Sequence, residues 1–215
     1  MKQVWVVGMG VALMLAASLP ALGAVAKGEL LVGATGNWGL PVADYPTAEF
    51  GDKVQSGFGF GAAVDKMLTD RISVGAELGV NINAFDQDFI ADSLNTGSRF
   101  TPDYNWRTMQ LSGRGRYHLL PERTVSFFGQ VGLGVYINKF SSNLNWDRAN
   151  GVVTEMKRSD TRTNLGVNLG PGALIRVSQY ARLSLEAILN NVFTSGKSLR
   201  FVNVSAGLTF HIPTQ

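Results

Sequence analysis

The sequence predicts an all-β fold, an eight-stranded antiparallel up-and-down transmembrane β-barrel, on three observations. Eight segments alternate apolar and polar residues with a period of two, which gives each strand one apolar face. The connections between these segments are short at one end and long at the other. Charged residues make up 16% of the chain, against roughly 25% in an average soluble domain. Together these features favour strands that meet lipid with one face.

The first part of the chain, residues 1–26, has the features of a secretory signal peptide. Lys2 supplies the positive start, and an apolar stretch follows it. That stretch is shorter than the ~20 residues that a membrane-spanning helix needs. Small residues offer cleavage after Gly23 or after Ala26. The expected mature barrel is then residues 27–215, exported across the inner membrane.

The strands are predicted, in chain order, at residues 29–38, 56–65, 72–84, 106–119, 125–138, 161–177, 181–193 and 199–212. In the third strand, the apolar residues from Ile72 to Ile82 alternate with serine, glycine, glutamate and asparagine without an error. Gly170-Pro171-Gly172 interrupts the sixth, and we expect a bulge or kink there because proline cannot donate a ladder hydrogen bond. No segment shows a helical period.

The connections alternate in length. Predicted strands two and three, four and five, and six and seven are joined by turns of a few residues. Predicted strands one and two, three and four, and five and six are joined by about 17 to 22 residues, including residues 85–105 and 139–160, whereas strands seven and eight have a short connection at Ser195-Gly196-Lys197. An even number of strands with this asymmetry is typical of an outer-membrane barrel with short periplasmic turns and long extracellular loops. Asn150-Gly151 is a turn signal, which indicates that strands five and six continue above the membrane as a hairpin.

Aromatic residues are predicted to mark both edges of the membrane. Tryptophan and tyrosine are enriched at membrane–water interfaces, and girdles of aromatic residues flank the apolar band of outer-membrane barrels. The residues assigned to these girdles are Trp38, Trp106, Tyr117, Phe127 and Phe193.

Two stretches resemble a known family. Residues 125–136 (VSFFGQVGLGVY) are similar to the glycine-alternating fifth strand of small OmpA/OmpX-type outer-membrane barrels. Residues 165–187, from LGVNLG to RLSLEA, resemble that family's strand, short turn and next strand. The sequence departs from the family in Pro171, in the three residues after Ile212, and in having no C-terminal peptidoglycan-binding domain. The resemblance implies an integral protein of the cell outer membrane, but this fold hosts several functions.

The last strand also resembles the C-terminal signal by which bacterial outer-membrane barrels are recognised for insertion. The residues that match it are Ser205, Gly207, Phe210 and Ile212. The resemblance implies that the outer-membrane assembly machinery is a partner, together with outer-membrane lipid and lipopolysaccharide.

The inner face of the predicted barrel is mostly glycine, serine, asparagine and threonine with a few charges. The charged residues expected in the lumen are Glu77, Arg114, Arg116, Arg176, Arg182 and Glu186. One interpretation is an ion pathway or gate. The interpretation we favour is a set of neutralising pairs, because an unpaired buried charge is very costly. We expect a cluster of Glu77, Arg114 and Glu186 that plugs the lumen and leaves no sizeable pore.

Other functional classes find little support. There is no cysteine, so no thiolate metal site is predicted, and no cofactor is expected. No Lys/Arg run suits a nucleic acid, and the net charge is +3. Some eight-stranded barrels modify lipid A with a histidine beside a serine, but His118 and His211 are not followed by such a serine. A nucleophile needs a base within hydrogen-bond reach, and nothing in the sequence indicates such a pair. We therefore expect that the protein is not an enzyme.

A secreted binding protein is a further alternative, because Gly36-Asn37-Trp38 matches the Gly-x-Trp on the first strand of lipocalins. Lipocalins, however, fill the cup with large apolar residues, whereas the predicted inner face here is small and polar. The sequence therefore predicts an integral outer-membrane barrel with a structural or surface-interaction role through its extracellular loops. A porin-like channel for small solutes is the alternative; a lipid-modifying enzyme and a lipocalin-like binding protein are less favoured.

Overall fold

Eight strands form the fold in the computed structural model, which describes residues 27–43, 55–84, 99–119, 121, 123–147, 153–195 and 198–212. They are β1 (Leu30–Ala43), β2 (Gly57–Met67), β3 (Ile72–Ala84), β4 (Arg99–Leu119), β5 (Val125–Asp147), β6 (Val153–Arg176), β7 (Ala181–Phe193) and β8 (Ser198–Ile212). Each is antiparallel to its neighbours in chain order, and β1 also pairs with β8. The predicted closed all-β barrel is confirmed. The expected signal peptide lies outside the described residues, and these contain no helix long and apolar enough to cross a membrane.

The outer surface carries a belt of exposed large apolar side chains. On β5 the belt runs from Phe127 to Ile137, with Val131 and Leu133 more than 60% exposed. A stretch of this length matches the roughly 9–11 residues that a tilted strand needs to cross a bilayer. Residues of the opposite parity on β5, such as Ser126 and Gln130, are buried in the lumen. The period of two therefore separates a lipid-facing surface from a packed polar interior.

The strands are joined at one end, which we call the turn end, by residues 68–71, 120–124 and 177–180. In the first turn, the Thr69 hydroxyl oxygen accepts hydrogen bonds from the backbone N–H groups of Arg71 and Ile72, at 3.2 and 3.0 Å. In the third turn, the Ser178 hydroxyl oxygen likewise accepts hydrogen bonds from the backbone N–H groups of Tyr180 and Ala181. Such hydroxyl contacts satisfy backbone donors that the ladder leaves unpaired, so these turns are defined by local chemistry. The opposite end is called the loop end.

The pairing register makes the strands climb steeply around the barrel. A path can be followed once around the barrel from each residue to the one directly opposite on the next strand. It begins at His118 on β4 and returns to β4 at Thr108, ten residues away. The path runs through His118, Phe128, Gly172, Glu186, Ser205, Asn37, Gly59, Asn81 and Thr108. This stagger is the shear that closes a barrel. Residues at equal counts from the turns on different strands therefore do not lie at equal heights.

Three neighbouring strands extend well beyond the membrane belt at the loop end. β4, β5 and β6 have 21, 23 and 24 residues. At the loop end, the β4–β5 ladder continues to Arg99 opposite Asp147, and the β5–β6 ladder continues to Asp147 opposite Val153. The expectation of a long loop at residues 139–160 is wrong, because most of that segment is strand. The hairpin expected there does form, although Asn150-Gly151 lies outside the described residues. We call residues 99–107, 139–147 and 153–162 the projecting sheet.

The bulge expected at Pro171 does not form. β6 stays in phase with β7 from Leu169 opposite Leu189 to Gly172 opposite Glu186, and only the two pairs between them are missing. On its other side, Pro171 is paired with Gly129 of β5. Because proline lacks an N–H group, the ladder to β7 is interrupted locally while the register is kept.

Candidate functional site

The interior near the turn end is built around Arg114 on β4. Its Nε and Nη2 donate to Asp65 Oδ1 and Oδ2 at 2.9 and 2.6 Å, which makes a bidentate pair. Its Nη1 donates to Glu77 Oε2 at 3.0 Å. The side chains of Arg114 and Asp65 are 4% and 2% exposed, whereas that of Glu77 is 19% exposed. Bidentate pairing of a guanidinium with a carboxylate is among the stronger polar contacts in proteins, and it fixes geometry.

A second arginine, Arg116, extends these contacts across the barrel to β7. Its Nη2 donates to Glu186 Oε1 at 2.7 Å and its Nε donates to Gln130 Oε1 at 2.8 Å. Its Nη1 lies 3.6 Å from Asp65 Oδ2, which joins the two arginines through one carboxylate. The guanidinium also lies over the ring of Phe128, 4.4 Å from the centroid. We call Asp65, Glu77, Arg114, Arg116 and Glu186 the charge cluster.

The charge cluster differs from the predicted one in two respects. The structure brings Glu77 and Arg114 together, but Glu186 binds Arg116 and not Arg114. The expected Glu186–Arg114 pair is wrong because residues at equal distances from the turns along different strands do not lie at equal depths in a sheared barrel. Asp65 was missed, although its parity with Gly61 on β2 indicates that it faces inward.

The other two arginines expected in the lumen lie apart from the charge cluster. Arg182 is buried and its Nη2 donates to the backbone oxygen of Pro121, across the turn end of the barrel, at 3.1 Å. Arg176 is directly opposite Arg182 in the β6–β7 ladder. The six expected charges therefore separate into a paired central group and two arginines at the rim.

Buried apolar side chains lie on the turn side of the charge cluster, beside buried polar ones such as Ser73 and His118. Leu31, Met67, Phe128 and Leu174 are each no more than 2% exposed. Within the cluster, the space bounded by Thr35, Glu77, Arg114 and Glu186 is a cavity of about 10 Å³. A volume of this size holds about one water molecule. The described lumen is thus filled at this level.

A chain of hydrogen bonds continues from Arg116 along the β5–β7 side towards the loop end. Gln130 Nε2 donates to Asn168 Oδ1 at 3.3 Å, and Asn168 Nδ2 donates to the Tyr136 hydroxyl at 3.4 Å. That hydroxyl donates to Asn190 Oδ1 at 3.0 Å. The ring of Tyr136 is fully buried and meets Phe201 edge to face. Side chains therefore fill this side of the lumen.

A serine and a histidine do meet in the lumen, contrary to the expectation that no nucleophile has a base within reach. Ser73 Oγ lies 3.0 Å from His118 Nε2, and both residues are at most 2% exposed. His118 also packs on Phe128, with ring centroids 5.6 Å apart. The pair is enclosed between the charge cluster and the turn end, away from the lipid-facing surface. His211 is separate and lies 3.5 Å from Glu29.

Four of the five aromatic residues assigned to the membrane edges face outward: Trp38, Tyr117, Phe127 and Phe193. Trp106 does not, because it is 5% exposed and shares the inward parity of Thr108 and Gln110. The prediction for Trp106 is wrong because it relied on residue type and position along the strand. Counting from the outward-facing Met109 would have placed Trp106 inward.

The residues that match the insertion signal lie on both faces of β8. Ser205 is buried in the lumen, opposite Asn37. Phe210 and Ile212 belong to the outward face, and Ile212 is exposed. Among the described residues, no group of three or more His, Cys, Asp or Glu could hold a metal ion.

A closed eight-stranded barrel with an apolar outer belt and a packed polar lumen defines an outer-membrane β-barrel protein. The family model described as "Outer membrane protein beta-barrel domain" matches residues 9–211. The chain belongs to this family, and the predicted location in the cell outer membrane is confirmed. The secreted lipocalin-like alternative does not fit that location. A sequence search of curated proteins gives no match.

Several solved outer-membrane barrels share the fold. Ail of Yersinia pestis, in complex with the heparin analogue sucrose octasulfate, is 13% identical with a TM-score of 0.51, over 86% of this chain and 99% of Ail. OprG of Pseudomonas aeruginosa is 10% identical with a TM-score of 0.51, over 91% and 100%. A major outer membrane protein of Thermus thermophilus is 15% identical with a TM-score of 0.52, over 86% and 99%. At these identities the likeness shows the fold alone.

Proposed function

We propose that this protein is a non-conducting outer-membrane barrel that holds a paired β-sheet above the membrane for contact with an external anionic partner. The observation that carries the proposal is the projecting sheet. On β5 it continues about ten residues past Ile137, where the lipid belt ends. At ~3.3 Å per residue and a tilt of about 40°, this is a rise on the order of 25 Å.

The composition of the projecting sheet suggests the sign of the partner's charge. It has six basic and four acidic residues: Arg99, Arg107, Lys139, Lys157, Arg158 and Arg162 against Asp103, Asp147, Glu155 and Asp160. A surface with a positive excess attracts polyanions. Ail, which shares the fold, was solved with a heparin analogue. We therefore extend the proposal to a sulfated or phosphorylated saccharide as the partner.

Cations at the outer edge of the lipid belt support anchoring in lipopolysaccharide. Arg107 and Lys139 are exposed and directly opposite each other, each two residues beyond an outward apolar residue of its strand. Arg200 on β8 is exposed at the same end. Like charges that face each other across a ladder are unfavourable unless an anion lies between them. The phosphates of outer-leaflet lipid are such anions, and we propose them as the anchoring partner.

The alternative functions fit the lumen less well. A channel for small solutes needs a continuous path, whereas the charge cluster and the apolar layer below it fill the described lumen near the turn end. A lipid-modifying enzyme needs its serine and histidine at the lipid boundary, whereas Ser73 and His118 are enclosed. We therefore propose a barrel that neither conducts nor catalyses.

A truncation tests the surface role. Replacing residues 141–159 by Asn-Gly joins the opposed Phe140 and Asp160 through a two-residue turn and removes the hairpin. We expect the shortened barrel to fold in nanodiscs and to bind heparin more weakly, because Lys157 and Arg158 are removed while Arg99, Arg107, Lys139 and Arg162 remain. A double variant, Lys157→Gln with Arg158→Gln, keeps the sheet and should also weaken binding. Heparin binding that is unchanged by the truncation, or is absent from the intact barrel, would contradict the proposal.

We also propose that Phe210 and Ile212 serve recognition by the assembly machinery more than they stabilise the folded barrel. Both are on the lipid-facing side of the last strand. We expect Phe210→Ser to reduce insertion in cells strongly while leaving refolding in detergent nearly intact. Val204→Ser, on the same face of β8, is the matched control. Equal losses in cells and in detergent would argue against a recognition role.

A further inference from the structure

On the side of the lumen opposite Tyr136, three asparagines point oxygens into the interior without a hydrogen-bond donor. They are Asn37 on β1, Asn81 on β3 and Asn203 on β8. In each amide it is the oxygen, and not the nitrogen, that is buried without a partner among the described residues. Asn81 and Asn203 are 3% and 8% exposed. A buried acceptor without a hydrogen-bond partner is costly, so three on one wall call for an explanation.

The three oxygens converge on two glycines. Asn37 Oδ1 and Asn81 Oδ1 lie 2.5 and 2.7 Å from the position that a Cβ at Gly59 would occupy. Asn203 Oδ1, Asn81 Oδ1 and Asn83 Nδ2 lie 3.4, 3.7 and 3.7 Å from the corresponding position at Gly39, and this Asn83 nitrogen donates to the backbone oxygen of Gln55. Asn81 Oδ1 therefore belongs to both groups. The absence of side chains at Gly39 and Gly59 is what leaves room for the amides to gather there.

The same wall leads down to a carboxylate. The inward face of β2 is glycine at positions 57, 59 and 61, and at Gly57 and Gly59 the backbone of β3 lies where a side chain would begin. At Gly61, a Cβ would lie 2.8 Å from Thr35 Oγ1 and 4.0 Å from Glu77 Oε1. Arg114 binds the other oxygen of this carboxylate, Oε2. At its turn-side end, the wall thus has one carboxylate oxygen, Glu77 Oε1, to which Arg114 donates no hydrogen bond.

We propose that this wall is a cation-binding site in the loop-side half of the lumen, closed below by the charge cluster. The ligand class is a hard cation, Ca²⁺ or K⁺, because these ions take amide and carboxylate oxygens as ligands. Oδ1 of Asn37, Asn81 and Asn203 binds the ion, and Glu77 Oε1 supplies negative charge towards the turn end. The site is independent of the surface role proposed above, which rests on the projecting sheet.

Titration calorimetry of the folded barrel in an uncharged detergent tests the site, with CaCl₂ and KCl as separate probes. The intact barrel should bind at least one of them, and Asn81→Leu should remove that binding. Asn81→Asp adds a carboxylate oxygen at the same position and should tighten it about tenfold, since charged ligands raise the affinity of oxygen sites for Ca²⁺. Asn190→Leu and Asn190→Asp, on the opposite wall, are the matched controls and should change little.

Two results would overturn the proposal. No binding of either cation by the intact barrel, with Asn81→Asp no better than Asn190→Asp, would mean that the wall binds water only. Calcium binding that is unaffected by Asn81→Leu would place the ion elsewhere, for example on carboxylates at the loop end. If Asn81→Leu does not fold, Asn37→Ser and Asn203→Ser give the same readout, and unchanged cation binding in both would contradict the proposal.

Discussion

The charge cluster and the wall made by Asn37, Asn81 and Asn203 satisfy their polar groups in opposite ways. In the charge cluster, Arg114 and Arg116 bind three carboxylates between them. On the wall, the amide oxygen of each asparagine has no hydrogen-bond donor among the described residues, and these oxygens lie close to Gly39 and Gly59. The comparison teaches that one small lumen can bury both fully paired charges and acceptors without a partner.

The difference has an energetic consequence. Removing one partner of a buried ion pair leaves an uncompensated charge in a medium of low dielectric constant. Removing a side chain whose oxygen has no partner loses little. Loss of a guanidinium from the charge cluster should therefore cost much more stability than truncation of an asparagine on the wall.

The largest effect is expected for Arg114→Ala, which leaves Glu77 without a guanidinium and Asp65 with only Arg116, whose Nη1 lies 3.6 Å away. We expect the free energy of unfolding to fall by about 3–5 kcal/mol. Urea unfolding of the barrel refolded in lipid vesicles, followed by tryptophan fluorescence, measures it. The loop-side control, Asn81→Ala, should cost less than about 1 kcal/mol. Equal losses for the two variants would refute the comparison.

A smaller effect should separate the two carboxylates that share Arg114. Asp65→Asn removes a sealed carboxylate that accepts two hydrogen bonds from Arg114, so we expect a loss of about 2–3 kcal/mol. Glu77→Gln changes a partly exposed group with one such bond, and its loss should stay near 1 kcal/mol. Both variants are compared in the same urea experiment. A larger loss for Glu77→Gln would contradict the assignment of Asp65 as the central carboxylate.

The smallest of the three expected differences between a variant and its control concerns Tyr136→Phe, on the hydrogen-bonded side of the lumen. It removes the hydroxyl between Asn168 and Asn190 and leaves Asn190 Oδ1 without that donor, at a cost of about 1 kcal/mol. Tyr117→Phe, on the lipid-facing surface, is the control and should change stability by less than about 0.5 kcal/mol. Thermal unfolding of the two variants, monitored by circular dichroism, distinguishes them. No difference between them would mean that the hydrogen-bonded chain is not stabilising.

The barrel itself could be predicted from the sequence because lipid imposes a strict period of two. The bounds of β3 and β7 match the prediction. Asn150-Gly151 indicates that β5 and β6 continue as a hairpin, but the paired length of these strands and the start of β4 at Arg99 could not be predicted, since the sequence there lacks the regular alternation that marks a strand. Pro171 is a case in which a local signal predicts an irregularity that the sheet does not have. The sequence predicts a bulge there, but the register of β6 is fixed by its pairing with β5 and β7 on both sides of Pro171.

The lumen was predictable only in part. Parity along a strand shows which side chains face inward, and it would also have identified Asp65 and Trp106. Which charges meet depends on the shear, a property of the closed sheet and of no single strand. The gathering of Asn37, Asn81 and Asn203 around Gly39 and Gly59 involves four different strands. No spacing within one segment could have revealed it.

The central claim is that the charge cluster and the apolar layer beneath it close the lumen. Planar-bilayer recording of the intact barrel in concentrated KCl tests it most directly. We predict no steady channels from the intact protein, and brief openings at most from Arg114→Ala, in which the plug is weakened. Steady channels of constant, large conductance from the intact barrel, unchanged in Arg114→Ala, would contradict the claim.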